Sequence, residues 1–424
     1  MSTSSKTPSL VWRSLLAAAM VVALAAGGAG AENAKGKPMS YREAREFLAR
    51  QTKLIELTND DGARVAVCPQ WQGRVMTSTC GGLEGPSFGF INRRFIEAGK
   101  PDARFNNYGG EERMWLSPEG GQFSLWFKPG VKQVLENWYT PAALNEGAWT
   151  VDEKSPGCRM TTTMKFQNAS ATSFLLDVTR TVRLLSAGDL RQLLGEGPAK
   201  LIGQNGVKMV AYETANEIAN RDAAMTREKG LVSIWILGML CAGRETVVIV
   251  PYKPGSESEL GPVVKSDYFG TLPQQRLKVT PAAVLFSGDS RYRSKIGTSQ
   301  RRARNVLGSI DFQAGVLTLV QFTMPDDPTK SPYMNNMWEL PQADPYHGDV
   351  ANSYNDGPND LGEQLGAFYE IESLSPAAAL RPGESLLHRH RTIHVQAGPE
   401  VLAQLAKTVL GVELAEVRKE MLGR

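Results

Sequence analysis

The segment FYEIESLSPAAALRPGESLLHRHRTIH, residues 368–394, reads as two strands around a turn. Apolar and polar residues alternate over 366–374 and again over 386–395, the period of a half-buried strand. Pro376 and the Pro382-Gly383 pair interrupt the run between them. Strand period places Phe368, Glu370 and Glu372 on one face, and His388, His390, Thr392 and His394 on one face of the next strand. Two carboxylates side by side are costly to bury without partners. They are therefore either a solvated strand face or cleft carboxylates able to act as a general base.

Working outward, short β-like runs recur along most of the chain. They fall at 54–58, 64–69, 74–80, 123–127, 158–167, 173–185, 208–215, 232–240, 246–251, 284–287, 292–296, 306–312 and 315–322. Asp60-Asp61-Gly62 and the residues from Gln70 to Gly73 mark turns. Many short strands with turn signals between them predict an all-β sandwich. Two helices flank it. Ser40-Tyr41-Arg42-Glu43 fits a capping box and predicts a helix over 41–51. Val401, Leu405, Val409, Val412 and Val417 approximate a helical stripe over 400–422, with a break at Gly411.

The extreme N-terminus follows a different rule. Lys6 and Arg13 precede the apolar run LLAAAMVVALAA (15–26), and Ala29-Gly30-Ala31 gives a small-x-small pattern. The run is shorter than the roughly 20 residues that span a bilayer. It is expected to be a leader, 1–31, cut before Glu32, which directs the chain to the periplasm or the exterior. The expected organisation is then a lead-in with its helix (32–53), one β domain (54–397) and a C-terminal helix (398–424).

Composition narrows the function. Apolar residues make up 42% and charged residues 21% of 424 residues, which excludes a disordered chain or a polytopic membrane protein. The 47 basic against 44 acidic residues are too even for a nucleic-acid partner. No membrane contact is expected once the leader is gone. Cys68, Cys80, Cys158 and Cys241 lie in no CxxC spacing; Cys68 and Cys80, in adjacent expected strands, either pair or stay as buried thiols. There is no P-loop, no GxGxxG before a helix, no GxSxG and no HExxH, and no cofactor is expected.

Three stretches crowd Asn, Asp, Glu, Tyr, Trp and Gly into expected loops: 105–115, with Tyr108, Glu111, Glu112 and Arg113; 333–349, with Asn335, Trp338, His347 and Asp349; and 352–357, with Tyr354. Rings that stack on sugar C–H faces, beside amides, carboxylates and Arg forks, are the mixture that holds a mono- or oligosaccharide. The plainer reading is turn-rich loops whose aromatics plug the core. His347 beside Asp349 is a candidate general acid, with Asp349 orienting the ring, or a hydrogen-bonded loop histidine. His388, His390 and His394 can bind a metal or form a polar strand face; no acidic or Cys ligand adjoins them in sequence.

Four strings, NNYGGEERMWLSPE (106–119), AYETANEIAN (211–220), YHGDVANSYNDGP (346–358) and the opening segment, resemble an uncharacterised family of secreted bacterial proteins. That family is similar to the aldose 1-epimerases, the galactose mutarotase-like proteins. The resemblance implies a galactose mutarotase-like β-supersandwich: two large, mostly antiparallel sheets face to face, with the site on a concave face and helices only at the ends. It implies that Glu370 stands where a mutarotase carries its catalytic base and Glu372 where it carries Gln, with Glu372 a rival because the spacing to Pro376 is one residue longer. Tyr108-Gly109-Gly110 is the nearest match to the mutarotase His-Gly-Gly. The acid of the His-x-Tyr-Phe-Asn string has no counterpart, since 216–229 contains no His. His347, Tyr108 or a protonated Glu would have to replace it. The function so implied is an exported aldose 1-epimerase-like enzyme or a related glycoside-processing lyase or hydrolase. Its alternatives are a non-catalytic sugar-binding protein and a metal-dependent enzyme using the His-x-His strand.

Overall fold

The computed structural model describes residues 39–152, 157–359 and 361–423. The leader expected at 1–31 lies outside them. The N-terminal helix runs Tyr41–Gln51 with its capping box closed: Ser40 Oγ accepts from the Glu43 amide at 3.3 Å, and Glu43 accepts from the Ser40 amide at 2.8 Å. Its apolar face, Tyr41, Ala44, Phe47 and Leu48, packs on Ala66, Cys68 and Met76. Burying Phe47 and Leu48 contributes about 1.5–3 kcal/mol each.

Cys68 and Met76 belong to a three-stranded sheet of Ile55–Thr58, Arg64–Cys68 and Arg74–Thr79. Two larger sheets form the body. The large sheet has ten strands, in the order Leu277–Val279, Ala283–Ser287, Thr246–Pro251, Val306–Asp311, Val316–Phe322, Ser385–Gln396, Lys208–Asn220, Ser173–Leu184, Cys158–Gln167 and Thr150–Asp152. The small sheet has five: Ser294–Ser299, Asp349–Asn355, Phe368–Leu374, Ser233–Cys241 and Arg113–Ser117. Every ladder in all three sheets is antiparallel.

Strand alternation decides what each face meets. On Ser385–Gln396, Ile393 and Val395 point outward under the cover of Leu402, Leu405 and Val417. That cover is Pro399–Leu405, a π-helical turn Ala406–Leu410, and Leu414–Leu422. Gly411, at φ 73°, makes the break between them. The inward face of the same strand carries His388, His390, Thr392 and His394. On Phe368–Leu374, Tyr369 and Ser373 face the large sheet, while Phe368, Glu370 and Glu372 face away from it. All seven residues of this strand are buried, because loops cover its outward face.

Three expectations are corrected. Helices are not confined to the ends: Arg93–Ala98, Ala142–Asn145, Ala187–Leu194, Glu196–Ile202 and Glu257–Leu260 lie between strands. Residues 123–127 are not a strand but an apolar loop that buries Trp126 against Trp138, rings stacked at 5.4 Å. Arg113–Ser117 and Asp349–Asn355, expected as loops, are strands of the small sheet; their polar residues face a covered cleft, so the usual apolar alternation is missing. Among the described residues no helix is long and apolar enough to cross a membrane.

Candidate active site

The outward face of the small sheet and the loops above it enclose a cavity of about 70 Å³, room for several waters. Arg113 and Trp115 enter from one strand, Trp235, Leu237 and Met239 from the next, Phe368 and Glu370 from the third, Tyr354 and Lys295 from the last two. The loops add Glu119, Tyr268, Phe269, Trp338 and Leu365.

Glu370 meets the Arg113 guanidinium at 3.0 Å, with both side chains nearly sealed from solvent. Burial outweighs that cation and lifts the Glu370 carboxyl to about 7. Arg113 also lies over the Trp115 ring at 4.3 Å, and its Nε and Nη1 have no protein hydrogen-bond partner. Glu372, one pleat along, accepts from Lys295 Nζ at 3.0 and 3.1 Å and from Trp235 Nε1 at 2.9 Å. Lys295 sits 4.9 Å from the Trp235 ring centre and 5.8 Å from that of Tyr268. Burial works to lower the Lys295 ammonium, but Glu372, Glu119 and Glu370 together raise it, so it stays charged.

Glu119 completes the set. Burial lifts its carboxyl to about 7 against the pull of Lys295. It accepts from Trp138 Nε1 at 3.0 Å, and Asn336 Oδ1 holds the Glu119 amide at 2.8 Å and the Ser117 hydroxyl at 2.6 Å. Gly120 permits this approach: a Cβ there would lie 2.2 Å from the Met337 carbonyl oxygen. Two proton-carrying carboxyls that titrate near neutrality thus share one aromatic-walled cavity with a fixed ammonium. That arrangement can move protons on a bound ligand.

Of the residues singled out in the sequence, the structure brings Arg113, Trp338, Tyr354, Glu370 and Glu372 to this cavity or its wall. The others lie elsewhere. His347 is half exposed and bonds Asp344 at 2.5 Å, not Asp349. Asp349 instead holds the Tyr268 hydroxyl and accepts from Asn352 at 3.2 Å. Gly297 leaves space for that contact, since a Cβ there would be 2.3 Å from Asp349 Oδ2. Tyr108 stacks on Trp71 at 4.6 Å, beside the N-terminal sheet. Asn335 ties its own loop, accepting from the Met337 amide at 3.1 Å and donating to the Asp344 carbonyl at 3.3 Å.

Glu111, Glu112 and the histidine strand meet in a polar seam between the two large sheets. Glu111 accepts from the Ser78 amide and hydroxyl at 2.5 and 2.7 Å and bonds His394 Nε2 at 3.0 Å. Glu112 pairs with Arg180 at 2.9 Å and accepts from Thr214 at 2.5 Å, with burial lifting its carboxyl to about 7. Ser373 Oγ bridges His388 and His390 at 2.8 Å each, and burial holds both imidazoles below the usual histidine range. Hydroxyls and a carboxylate thus engage both ring nitrogens of His388 and of His394, and Nδ1 of His390. Among the described residues no three His, Cys, Asp or Glu are grouped to hold an ion. Cys68 and Cys80 are buried free thiols.

Sequence reading missed Glu119, Lys295, Trp235 and Tyr268. Trp115 and Glu119 stand inside the quoted string 106–119, two and six residues from Arg113, so period two along Arg113–Ser117 was the signal available. Lys295 in a short polar strand gave none.

No curated protein matches the chain. The structure is similar to that of a "Putative aldose 1-epimerase" from Escherichia coli K12, at 12% identity and TM-score 0.47, covering 82% of this chain and 99% of that one. It is similar to Slr1438 protein from Synechocystis sp. PCC 6803, at 13% identity and TM-score 0.43, over 82% and 96% of the two chains. A TPR-domain containing protein from Parabacteroides distasonis ATCC 8503 matches at 13% identity and TM-score 0.40, over 80% of this chain and 46% of that one. The model of one protein family matches residues 39–421, nearly all that the structure describes. The chain belongs to that family, the Family of unknown function (DUF6786).

Proposed function

We propose that this chain is an exported carbohydrate-active enzyme, most concretely an aldose 1-epimerase-like isomerase. The observation that supports it is the convergence of Glu370 and Glu119, both with carboxyls near 7, on one aromatic-walled cavity. The N-terminal basic and apolar pattern supports export.

Glu370, ionised, takes the proton of the anomeric hydroxyl. The freed electron pair closes the C1=O bond and the C1–ring-oxygen bond breaks. Glu119, protonated, gives its proton to the departing ring oxygen. Rotation about C1–C2 and the reverse transfers close the other anomer and restore both carboxyls. A carboxyl near 7 suits either role at neutral pH, because both protonation states are populated. Glu119 thereby fills the part of the acid that the sequence lacked. Lys295 favours the ionised form of each carboxylate as it forms, and the Arg113 guanidinium fixes Glu370. Trp338 and Tyr354 supply ring faces for the sugar.

The test is a thermal-shift titration of the mature protein with mono- and oligosaccharides, with and without EDTA. A ligand that binds only the folded state raises the melting temperature by mass action. A shift with one sugar class, reduced in the Arg113→Met variant, agrees with the proposal. Cooperative melting with no shift from any sugar removes it, and a shift that EDTA abolishes favours a metal-dependent protein.

A further inference from the structure

Asn336 stands in the cavity wall with Glu119, and its side chain has a fixed sense. A backbone N–H can only donate, so the atom that meets the Glu119 amide at 2.8 Å is Oδ1. The Ser117 hydroxyl donates to the same oxygen at 2.6 Å. Nδ2 therefore occupies the other branch of the amide. Among the described residues no acceptor takes Nδ2, and this nitrogen is not sealed from water. The turn that carries Asn336 is pinned from behind. Gln342 Nε2 donates to the Asn335 and Met337 carbonyls at 3.1 and 2.6 Å, and the Gln342 amide donates to Gln122 Oε1 at 3.0 Å. A fixed Asn336 in turn fixes the backbone of Glu119, whose Oε1 is taken by Trp138.

A preoriented N–H donor beside a proton-bearing carboxyl is useful where an oxygen takes on charge. In anomer interconversion that oxygen is the ring oxygen. It gains the electron pair of the C1–ring-oxygen bond as Glu119 delivers its proton. We propose that Asn336 acts on the ring oxygen together with Glu119: Oδ1 holds the acid in place, and Nδ2 donates a hydrogen bond to the ring oxygen as the bond to C1 breaks. Asn336 gives up no proton in this step, so Glu119 and Glu370 alone carry the exchange. The inference rests on the reading of the cavity as a sugar isomerase site and assigns that site a further residue.

The test compares Asn336→Asp with Asn336→Ala in the mature protein. Aspartate keeps an oxygen for Ser117 and for the Glu119 amide and replaces only the N–H donors, while alanine removes both. Polarimetric rates are measured with freshly dissolved α-D-glucose, α-D-galactose and α-D-xylose. Each variant is compared with wild type at its own pH optimum, because a new carboxylate beside Glu119 raises that carboxyl. The expected result is that both variants lose about 100- to 1,000-fold in kcat, the effect of removing one such donor. KM should change little, the pattern of an interaction made only in the transition state. If Asn336→Asp keeps the wild-type rate while Asn336→Ala loses it, Asn336 is only a tie for the loop; the inference is overturned and the isomerase reading stands. A raised KM with unchanged kcat in Asn336→Asp overturns it in the same way. A wild-type protein that accelerates none of the three sugars overturns both.

Discussion

Replacing Glu119 by Gln separates a catalytic carboxyl from a structural one by its pH dependence. Glutamine keeps an oxygen for Trp138 Nε1 and removes only the ability to ionise. In the wild type the folded protein holds this carboxyl at about 7 against an ordinary 4.5. A folded-state value above the unfolded one means that the neutral form is favoured by folding. That contribution is fully present below the unfolded value and is lost as pH rises through about 7. The gap corresponds to roughly 3 kcal/mol at full ionisation, and to about 1–2 kcal/mol once the partly open side of the cleft is allowed for. Glu119→Gln is therefore expected to melt a few degrees above wild type at pH 8 and level with it at pH 4. The same variant is expected to lose about 100- to 10,000-fold in anomer interconversion. Calorimetric melting at the two pH values and a polarimetric rate supply both readouts. A variant equally or less stable at pH 8, with unchanged turnover, refutes the reasoning that a buried, proton-bearing Glu119 is the acid.

Other perturbations probe the rest of the account. Lys295→Met removes the ammonium that lowers both Glu119 and Glu370; the bell-shaped pH–rate profile should move to higher pH by about one unit, and an unmoved profile would detach Lys295 from the pair. Arg180→Met strips Glu112 of its buried partner and should cost about 3–5 kcal/mol at pH 8, less at pH 5 where Glu112 is neutral; equal costs measured by denaturant titration at both pH values would contradict the pairing. His347→Ala removes a half-exposed surface pair with Asp344 and should change neither turnover nor melting by more than the scatter, since such pairs contribute about 0–1 kcal/mol; a large loss of rate would return His347 to the mechanism.

The sandwich was legible because its framework strands alternate cleanly. Residues 158–167 and 246–251 were bounded to the residue, and the capping box at Ser40 placed the first helix. Half of the site was legible on the same grounds, since period two put Glu370 and Glu372 on one face. What escaped has a common physical cause. Arg113–Ser117 and Asp349–Asn355 are buried on both faces, one against the large sheet and one beneath loops, so polar residues occupy positions where an exposed sheet would alternate. Of the interior helices, Ala187–Leu194 carries a Ser186–Asp189 capping box that the sequence reading passed over, and the others span only four to seven residues, too short for a helical stripe. Glu111 and Glu112 share a string with Arg113, yet their backbones pair with Met76 and Val75 and their side chains enter the inter-sheet seam, while Arg113 turns to the cavity. Sequence adjacency identified the right string and could not divide it between two sides of one sheet. His347 and Asp349 are two residues apart but serve different partners, because Asp349 begins a strand and His347 ends an exposed turn.

The most direct measurement is exchange NMR on an equilibrated aldose that binds the mature protein, comparing wild type with Glu370→Gln. The account predicts that wild type accelerates interconversion of the two anomers at neutral pH, and that Glu370→Gln binds the sugar but leaves the uncatalysed rate. A wild-type protein that binds the sugar without accelerating exchange, or a Glu370→Gln variant that still accelerates it, contradicts the claim that this cavity is a carboxylate-driven sugar isomerase site.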